Sequence, residues 1–235
     1  MKYEIAITGS SRPDLYQIFW ESFNKMTMIK GNPKITAYED VIFPEESLKV
    51  RKFIEKKVDN YIEMNSNKRL GYVFDKLLKN LECEYFVYLQ DDWRFLKESY
   101  AKPGTLNPLI DFDLLIDIMD KNTKIQQIIF PKHFDGSTYR NHCGKTIEIN
   151  GISLTEFKSW AFLPNIARTS FVKNIWSEGE LWREVRPESP FKKILKKKKM
   201  NNVSYLLGGQ YKEKWTCIDH LGIGDQTTKK MMGRR

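Results

Sequence analysis

Two adjacent acids one residue after an apolar run are suited to bind a divalent metal. Asp91 and Asp92 follow residues 85–89, five aromatic and branched residues typical of a strand buried on both faces. In open α/β sheets, ligands bind just beyond the carboxyl ends of such strands. Carboxylate oxygens at that point suit a hard cation such as Mg²⁺ or Mn²⁺. The alternative is an ordinary turn at the end of a strand, because Asp is common in turns.

The positive charge of the chain is concentrated in two segments. The 235 residues carry a formal net charge of +9. Residues 192–199 supply six positive charges and residues 229–235 supply four, with no acid in either segment, which leaves −1 for the rest. This distribution argues against a nucleic-acid-binding face. Residues 196–199 are either a solvated run or a contact for an anionic membrane surface or a phosphate-rich substrate.

The composition predicts a folded protein without a membrane span. Hydrophobic residues make up 41% of the chain and aromatic residues 13%, which is enough for a core. Residues 1–4 lack the apolar core of a signal peptide, and no apolar stretch approaches 18 residues. We therefore expect a cytoplasmic protein with at most peripheral membrane contact.

The first part of the chain alternates strand and helix, the signature of a parallel sheet. We predict strands at residues 3–8, 34–38 and 85–89. Pro13 suits the first position of a helix after the first strand. We also predict a charged amphipathic helix, or a pair of helices, over residues 45–62, and a helix over residues 73–81.

The second part is less regular. Helices are predicted at residues 112–119 and 187–199, and strands at residues 125–130, 203–207 and 216–218. Asn150-Gly151 between two short apolar runs predicts a β-hairpin. Because the chain shows neither a repeat nor a Gly/Ser-rich linker, we expect one α/β domain over residues 1–235.

The order of these features resembles GT-A fold glycosyltransferases of the family 2-like kind, which move a sugar from a nucleotide donor to an acceptor. The resemblance rests on residues 8–13, Glu39-Asp40, residues 67–71, Asp91-Asp92-Trp93 and His220-Leu221-Gly222. It implies a mostly parallel central sheet flanked by helices, with a smaller antiparallel acceptor-side portion. Residues 1–98 would form the nucleotide-sugar-binding half and residues 99–235 the acceptor-binding half.

The resemblance implies roles for particular residues on the donor side. Thr8, Ser10 and Arg12 would line the base and ribose pocket. Glu39 or Asp40 would meet the nucleobase or ribose, and Arg69 would face the diphosphate.

It also implies a metal site. Asp92 would ligate Mn²⁺ or Mg²⁺, and Asp91 would contact the ribose or a metal-bound water. His220 would complete the site and would favour Mn²⁺, unless it is an ordinary loop histidine. The sequence departs from the family at Gln90, where an acid is common, and a neutral side chain there weakens metal binding.

An attacking hydroxyl must lose a proton, which requires a base on the acceptor side. Glu188 is the first candidate, with Glu184 and Glu180 in reserve. The alternative for Glu188 is a favourable charge at a helix start. Trp93 and Trp160 could stack on a sugar, although large aromatic residues are more often part of the core, which we expect for Trp160.

The resemblance therefore implies a metal-dependent, inverting transferase. It would use a UDP- or GDP-linked sugar and a glycan, lipid-linked or protein-linked acceptor, with no nucleic acid as partner. Two rivals remain at this point: a nucleotidyltransferase, and a non-enzymatic basic scaffold or nucleic-acid-binding protein acting through residues 192–199.

Overall fold

A computed structural model of the chain describes residues 1–64, 70–98, 106–131, 143–184, 187–200, 202–208 and 218–221. The helices are α1 (Pro13–Met26), α2 (Pro44–Ile54), α3 (Leu70–Asn80), α4 (Phe112–Lys121), α5 (Thr169–Ser177) and α6 (Glu188–Lys197), with a 3₁₀ turn at Leu181–Arg183. The strands are β1 (Tyr3–Gly9), β2 (Thr27–Met28), β3 (Lys34–Asp40), β4 (Asn60–Met64), β5 (Tyr85–Gln90), β6 (Trp93–Phe95), β7 (Ile110–Asp111), β8 (Gln127–Ile129), β9 (Cys143–Ile149), β10 (Ile152–Phe157), β11 (Asn165–Arg168), β12 (Ser204–Leu207) and β13 (Ile218–His220).

A nine-stranded sheet forms the centre of the protein, in the order β4-β3-β1-β5-β11-β8-β12-β10-β9. The first four strands are mutually parallel. Beyond β5, β11 is antiparallel to both of its neighbours, and β8 pairs with β12 in parallel. β10 pairs with β12 and with β9, both in antiparallel orientation, so the β9–β10 hairpin forms the edge of the sheet on this side. The predicted α/β class is confirmed; the assignment of residues 1–98 and 99–235 to two functional halves stays a prediction.

Alternate residues of the central strands point to opposite faces of the sheet, and each face has its own core. Val87 and Leu89 belong to the cluster that contains the buried sides of α1, α2 and α4. Phe86 and Tyr88 belong to the cluster covered by α3, α5 and α6. A strand that is buried on both faces reads as a continuous apolar run, which is why residues 85–89 could be recognised as one.

The prediction of a helix through residue 62 was wrong in its second half. Helix α2 ends at Ile54, and residues 60–64 form β4 at the edge of the sheet. Thr36 to Asp40 of β3 pair in parallel register with Asn60 to Met64. A short edge strand carries polar residues on its open side, so its sequence is difficult to distinguish from that of a charged helix.

The hairpin prediction is confirmed in detail. Asn150 and Gly151 both adopt positive φ, at 52° and 74°. Two consecutive residues of positive φ are what a two-residue type I′ turn requires, and Asn-Gly is the pair that adopts it most readily.

Among the described residues, no helix combines the length and apolarity needed to cross a membrane.

Candidate active site

The carboxyl ends of β1, β3 and β5 meet at one edge of the parallel sheet. The register aligns Gly9 with Glu39 and Thr8 with Gln90, so the residues that follow these strands lie side by side. The backbone N–H of Asp91 donates to the Thr8 carbonyl at 2.9 Å, which continues the pairing one residue beyond β5. In an open α/β sheet, this edge is where a ligand binds.

Arg12, from the turn after β1, contacts both acids that follow β5. Its Nε donates to Asp91 Oδ2 at 3.1 Å and its Nη1 donates to Asp92 Oδ2 at 3.1 Å. Arg12 Nη2 donates to the other oxygen of Asp91, which makes that pair bidentate. Since the Ser10 N–H also donates to Asp91, at 3.3 Å, both oxygens of this fully buried carboxylate are occupied. The three side chains leave one net negative charge at the site.

The two acids differ in their electrostatic environment. Burial raises the pKa of Asp91 to about 6, although Arg12 opposes this shift. Burial acts in the same direction on Asp92, but the hydrogen bond with His220 and the charge of Arg12 outweigh it and hold the pKa of Asp92 below its ordinary value. Both carboxyl groups are therefore ionised at neutral pH.

His220 reaches this site from near the other end of the chain. β13 pairs with β6 in antiparallel register, with His220 opposite Trp93, and the Leu221 N–H donates to the Asp92 carbonyl at 2.7 Å. This pairing brings His220 Nε2 to 3.3 Å from Asp92 Oδ2. The imidazole also lies 4.6 Å from the Trp93 ring, centroid to centroid.

The donor set around Asp92 fits a sparse metal site. Asp92 Oδ1 is buried and has no hydrogen-bond partner in the part of the chain that the structure describes. The His220 side chain beside it is 38% exposed. Asp91 is fully engaged with Arg12, and the described residues contain no group of three or more His, Cys, Asp and Glu able to hold a metal. Mg²⁺ and Mn²⁺ bound with a nucleotide need only one or two protein ligands, because phosphate oxygens and water supply the rest.

Ser11 was not singled out from the sequence, but it joins two strand ends. It is fully buried, with a positive φ of 50°. Its N–H donates to Glu39 Oε1 at 2.5 Å, and its Oγ accepts the N–H groups of Ile42 and Phe43 at 2.9 Å each. Ser47 donates to the same Glu39 oxygen at 3.2 Å. Ser11 therefore fixes the turn that carries Arg12 against the turn after β3.

These contacts bear on the expected nucleotide ligands after β3. Glu39 has no exposed surface, and Asp40 is 4% exposed. Glu39 accepts hydrogen bonds from Ser11 and Ser47 inside the protein. These bonds support a role in holding the turn after β1 more than direct contact with a nucleobase or ribose. Thr8 is likewise buried, and its hydroxyl donates to the Leu89 carbonyl at 3.3 Å. The ligand roles of Thr8, Ser10, Glu39 and Asp40 stay predictions.

Glu39 should make the stability of the protein depend on pH. Burial raises its pKa to about 8; the Ser11 N–H opposes the shift and the nearby charge of Asp91 adds to it. The folded protein therefore holds a proton that the unfolded chain releases near its ordinary pKa of 4.5. Unfolding then releases a proton, and the free energy of unfolding falls as the pH rises from 4.5 to 8.

The test is urea denaturation of the wild type and Glu39→Gln across this range. The difference between the two proteins should change by up to about 1.4 kcal/mol per pH unit, the value for one proton. Taking the difference removes the contributions of Asp91 and Asp92, which both proteins share. If the free energies of unfolding of the two proteins instead change in parallel with pH, Glu39 is ionised in the folded protein across this range.

The candidate bases lie on the opposite face of the sheet from α1. Glu188 is the first residue of α6, is 42% exposed, and pairs with Lys192 one turn along at 3.0 Å. Glu184 ends the 3₁₀ turn, and its carbonyl accepts the Gly71 N–H at 3.1 Å. Glu180 pairs with Arg183 at 2.7 Å. α3 begins after the carboxyl end of β4, so the contact with Gly71 places Glu184 near the same edge as the diacid. The role of each as base stays a prediction.

The two tryptophans belong to the protein interior. Trp160 is 1% exposed and packs against Phe191, with ring centroids 4.8 Å apart, so its expected core position is confirmed. Trp93 is 4% exposed, and its indole N–H donates to Gln90 Oε1 at 2.9 Å. Gln90 therefore orients the ring under His220. Arg69, the expected diphosphate ligand, lies outside the described residues.

Comparison with solved structures shows a shared fold. S. aureus TarS superposes with a TM-score of 0.60 over 94% of this chain, at 12% identity. TarS 1–349 in complex with UDP gives 0.58 over 93% at 13% identity, and in complex with UDP-GlcNAc 0.53 over 95% at 12% identity. The chain spans 36% of the first of these chains and 60% and 61% of the other two. By sequence, no family model and no curated protein matches. The expected fold is thus confirmed, and the narrower resemblance to the family 2-like kind stays a prediction.

Proposed function

We propose that this protein is a glycosyltransferase that takes a sugar from a nucleotide-sugar donor and transfers it to a hydroxyl group, with a divalent cation at Asp92. The observation that carries the proposal is the Asp92 carboxylate, which lies just beyond the carboxyl end of β5. One of its oxygens is buried and has no hydrogen-bond partner among the described residues, and His220 lies at the other. A carboxylate and an imidazole together favour Mn²⁺.

The fold supports the choice of ligand. TarS 1–349 has the same fold and was crystallised with UDP and with UDP-GlcNAc. A UDP-linked sugar is accordingly the first donor to test here. It would bind at the edge where β1, β3 and β5 end, the position at which open α/β sheets bind ligands.

In this proposal each residue of the site has a separate task. Asp92 and His220 would hold the cation, and a cation bound there would supply positive charge to offset that of the diphosphate leaving group. Arg12 and Asp91 form a buried pair that holds the turns after β1 and β5 together. The net negative charge of the three side chains favours a cation at this point. Ser11 and Glu39 keep the β1 turn in place.

A carboxylate on the acceptor side would take the proton of the attacking hydroxyl. Glu188 and Glu184 are the candidates. A comparison of turnover in Glu188→Gln and Glu184→Gln distinguishes them. The acceptor would be a glycan or a lipid- or protein-linked hydroxyl, in the cytoplasm or at a membrane surface.

Thermal unfolding with a panel of sugar nucleotides tests the proposal. At 100 times its Kd a ligand adds about 2.7 kcal/mol to the stability of the folded state. For a chain of this size this corresponds to a rise in Tm of about 5–10 °C. We expect the rise for a UDP- or GDP-linked sugar with Mn²⁺ and a smaller one with EDTA. A rise with nucleoside triphosphates and none with sugar nucleotides would instead indicate a nucleotidyltransferase.

A further inference from the structure

A second pocket lies away from the diacid, on the face of the sheet that α6 covers. It has a volume of about 290 Å³ and lies between the end of β10, helix α6 and the segment before β12. Three lysines line it: Lys158 after β10, and Lys192 and Lys196 on α6. Lys192 and Lys196 are four residues apart, so they project from the same side of the helix.

The charge at this pocket is positive. Lys192 pairs with Glu188 at 3.0 Å, whereas Lys158 and Lys196 form no ion pair with the described residues. The three lysines and Glu188 together carry a net charge of +2. Like charges around one concavity repel each other, and an anion bound there relieves that repulsion.

The floor of the pocket contains a polar group that lacks a partner. Trp160 lines the pocket and is 1% exposed, and its indole N–H has no acceptor among the described residues. A buried donor without an acceptor costs about 1–3 kcal/mol, and the position of this ring in the lining makes its N–H a reporter of charge placed in the pocket. Ser159 and Asn202 add a hydroxyl and an amide to the same lining.

We infer that this pocket binds a phosphate group. Three lysines that line a small concavity, together with a hydroxyl and an amide group in the same lining, match the charge and the several acceptor oxygens of a phosphate. The group can belong to a soluble phosphate compound or to a phospholipid headgroup, since the chemistry of recognition is the same for both. The inference does not rest on the proposed sugar transfer, because none of the residues that line this pocket lies at Asp92. Glu188, the ion-pair partner of Lys192, is shared with the candidate bases, and the test below reads phosphate binding rather than turnover.

Nuclear magnetic resonance of the tryptophan indole N–H groups tests this inference. The full chain is titrated with inorganic phosphate, and the ionic strength is held constant so that general screening does not change. Trp160→Phe identifies the Trp160 signal among those of the six tryptophans. We expect a saturable shift of that signal.

Lysine variants show whether the shift comes from the pocket. Lys192→Gln and Lys196→Gln should each weaken binding about tenfold, as expected for the loss of one charge-assisted contact. Lys197→Gln, which removes the same charge from the same helix outside the pocket lining, should leave it unchanged. An unmoved Trp160 signal, or an equal loss in Lys197→Gln, would overturn the inference.

Vesicles distinguish the two sources of the phosphate. Phosphatidylcholine vesicles with and without phosphatidylglycerol are compared in sedimentation assays of the wild type and Lys196→Gln. Binding that needs both the anionic lipid and Lys196 identifies a headgroup. Binding of inorganic phosphate without vesicle binding identifies a soluble compound.

Discussion

Asp92→Asn is expected to abolish manganese-dependent binding of the sugar-nucleotide donor. The substitution keeps the size of the side chain but removes the charge of the carboxylate, one oxygen of which is buried without a partner in the described part of the chain. Loss of a charged ligand from a site with few protein ligands should weaken donor binding at least about 100-fold, or about 2.7 kcal/mol. Isothermal titration of the donor with Mn²⁺ and with EDTA measures both the affinity and its dependence on the metal.

Asp219→Asn is a closely matched control. Asp219 lies next to His220 in β13 and also pairs with an arginine, Arg94, at 2.9 Å. The two acids have similar exposure, 14% for the Asp92 side chain and 17% for that of Asp219. Asp219→Asn should bind donor like the wild type. Donor affinity in Asp92→Asn within twofold of the wild type, with the same response to Mn²⁺, would refute the proposed metal site.

Arg12→Met is expected to destabilise the fold more than any surface substitution. Asp91 is fully buried, and both of its oxygens accept hydrogen bonds from Arg12. Removal of the guanidinium leaves a buried carboxylate without its counter-charge, which costs about 3–5 kcal/mol in other proteins. Urea denaturation at pH 7 measures the loss.

Two further variants separate this effect from a general loss of packing. Arg12→Met combined with Asp91→Asn should recover much of the stability, because no charge is then left buried. Arg51→Met removes an exposed arginine on α2 that pairs with Glu55, and should cost less than about 1 kcal/mol. If Arg12→Met costs no more than Arg51→Met, the Arg12–Asp91 pair does not hold the turns together.

The sequence predicted those parts of the fold that depend on local patterns. The apolar run of β5, Pro13 at the start of α1 and the Asn150-Gly151 turn each carry their own signal within a few residues. β4 carries no such signal, because its position depends on pairing with β3 and its polar residues also fit a helix. The order of strands beyond β5 depends in the same way on contacts between distant segments.

The sequence predicted where the site lies better than it predicted which of its side chains contact each other. The acids after β5 and the turn after β1 could be placed at one edge by the rule for parallel sheets. That Arg12 would contact Asp91 and Asp92 could not be predicted, since about 80 residues separate them and Arg94 is the nearer arginine in the sequence. His220 was linked to the acids through resemblance alone, and its contact with Asp92 depends on the pairing of β13 with β6.

That pairing has a consequence for how the molecule is made. The imidazole beside Asp92 lies 128 residues later in the chain, and the β1–β5 edge is synthesised long before it. Synthesis proceeds from the amino terminus and adds about 5–20 residues per second. The growing polypeptide therefore contains Arg12, Asp91 and Asp92 for many seconds before His220 is added. Binding of the proposed metal through both side chains would therefore be a late event in the maturation of this protein.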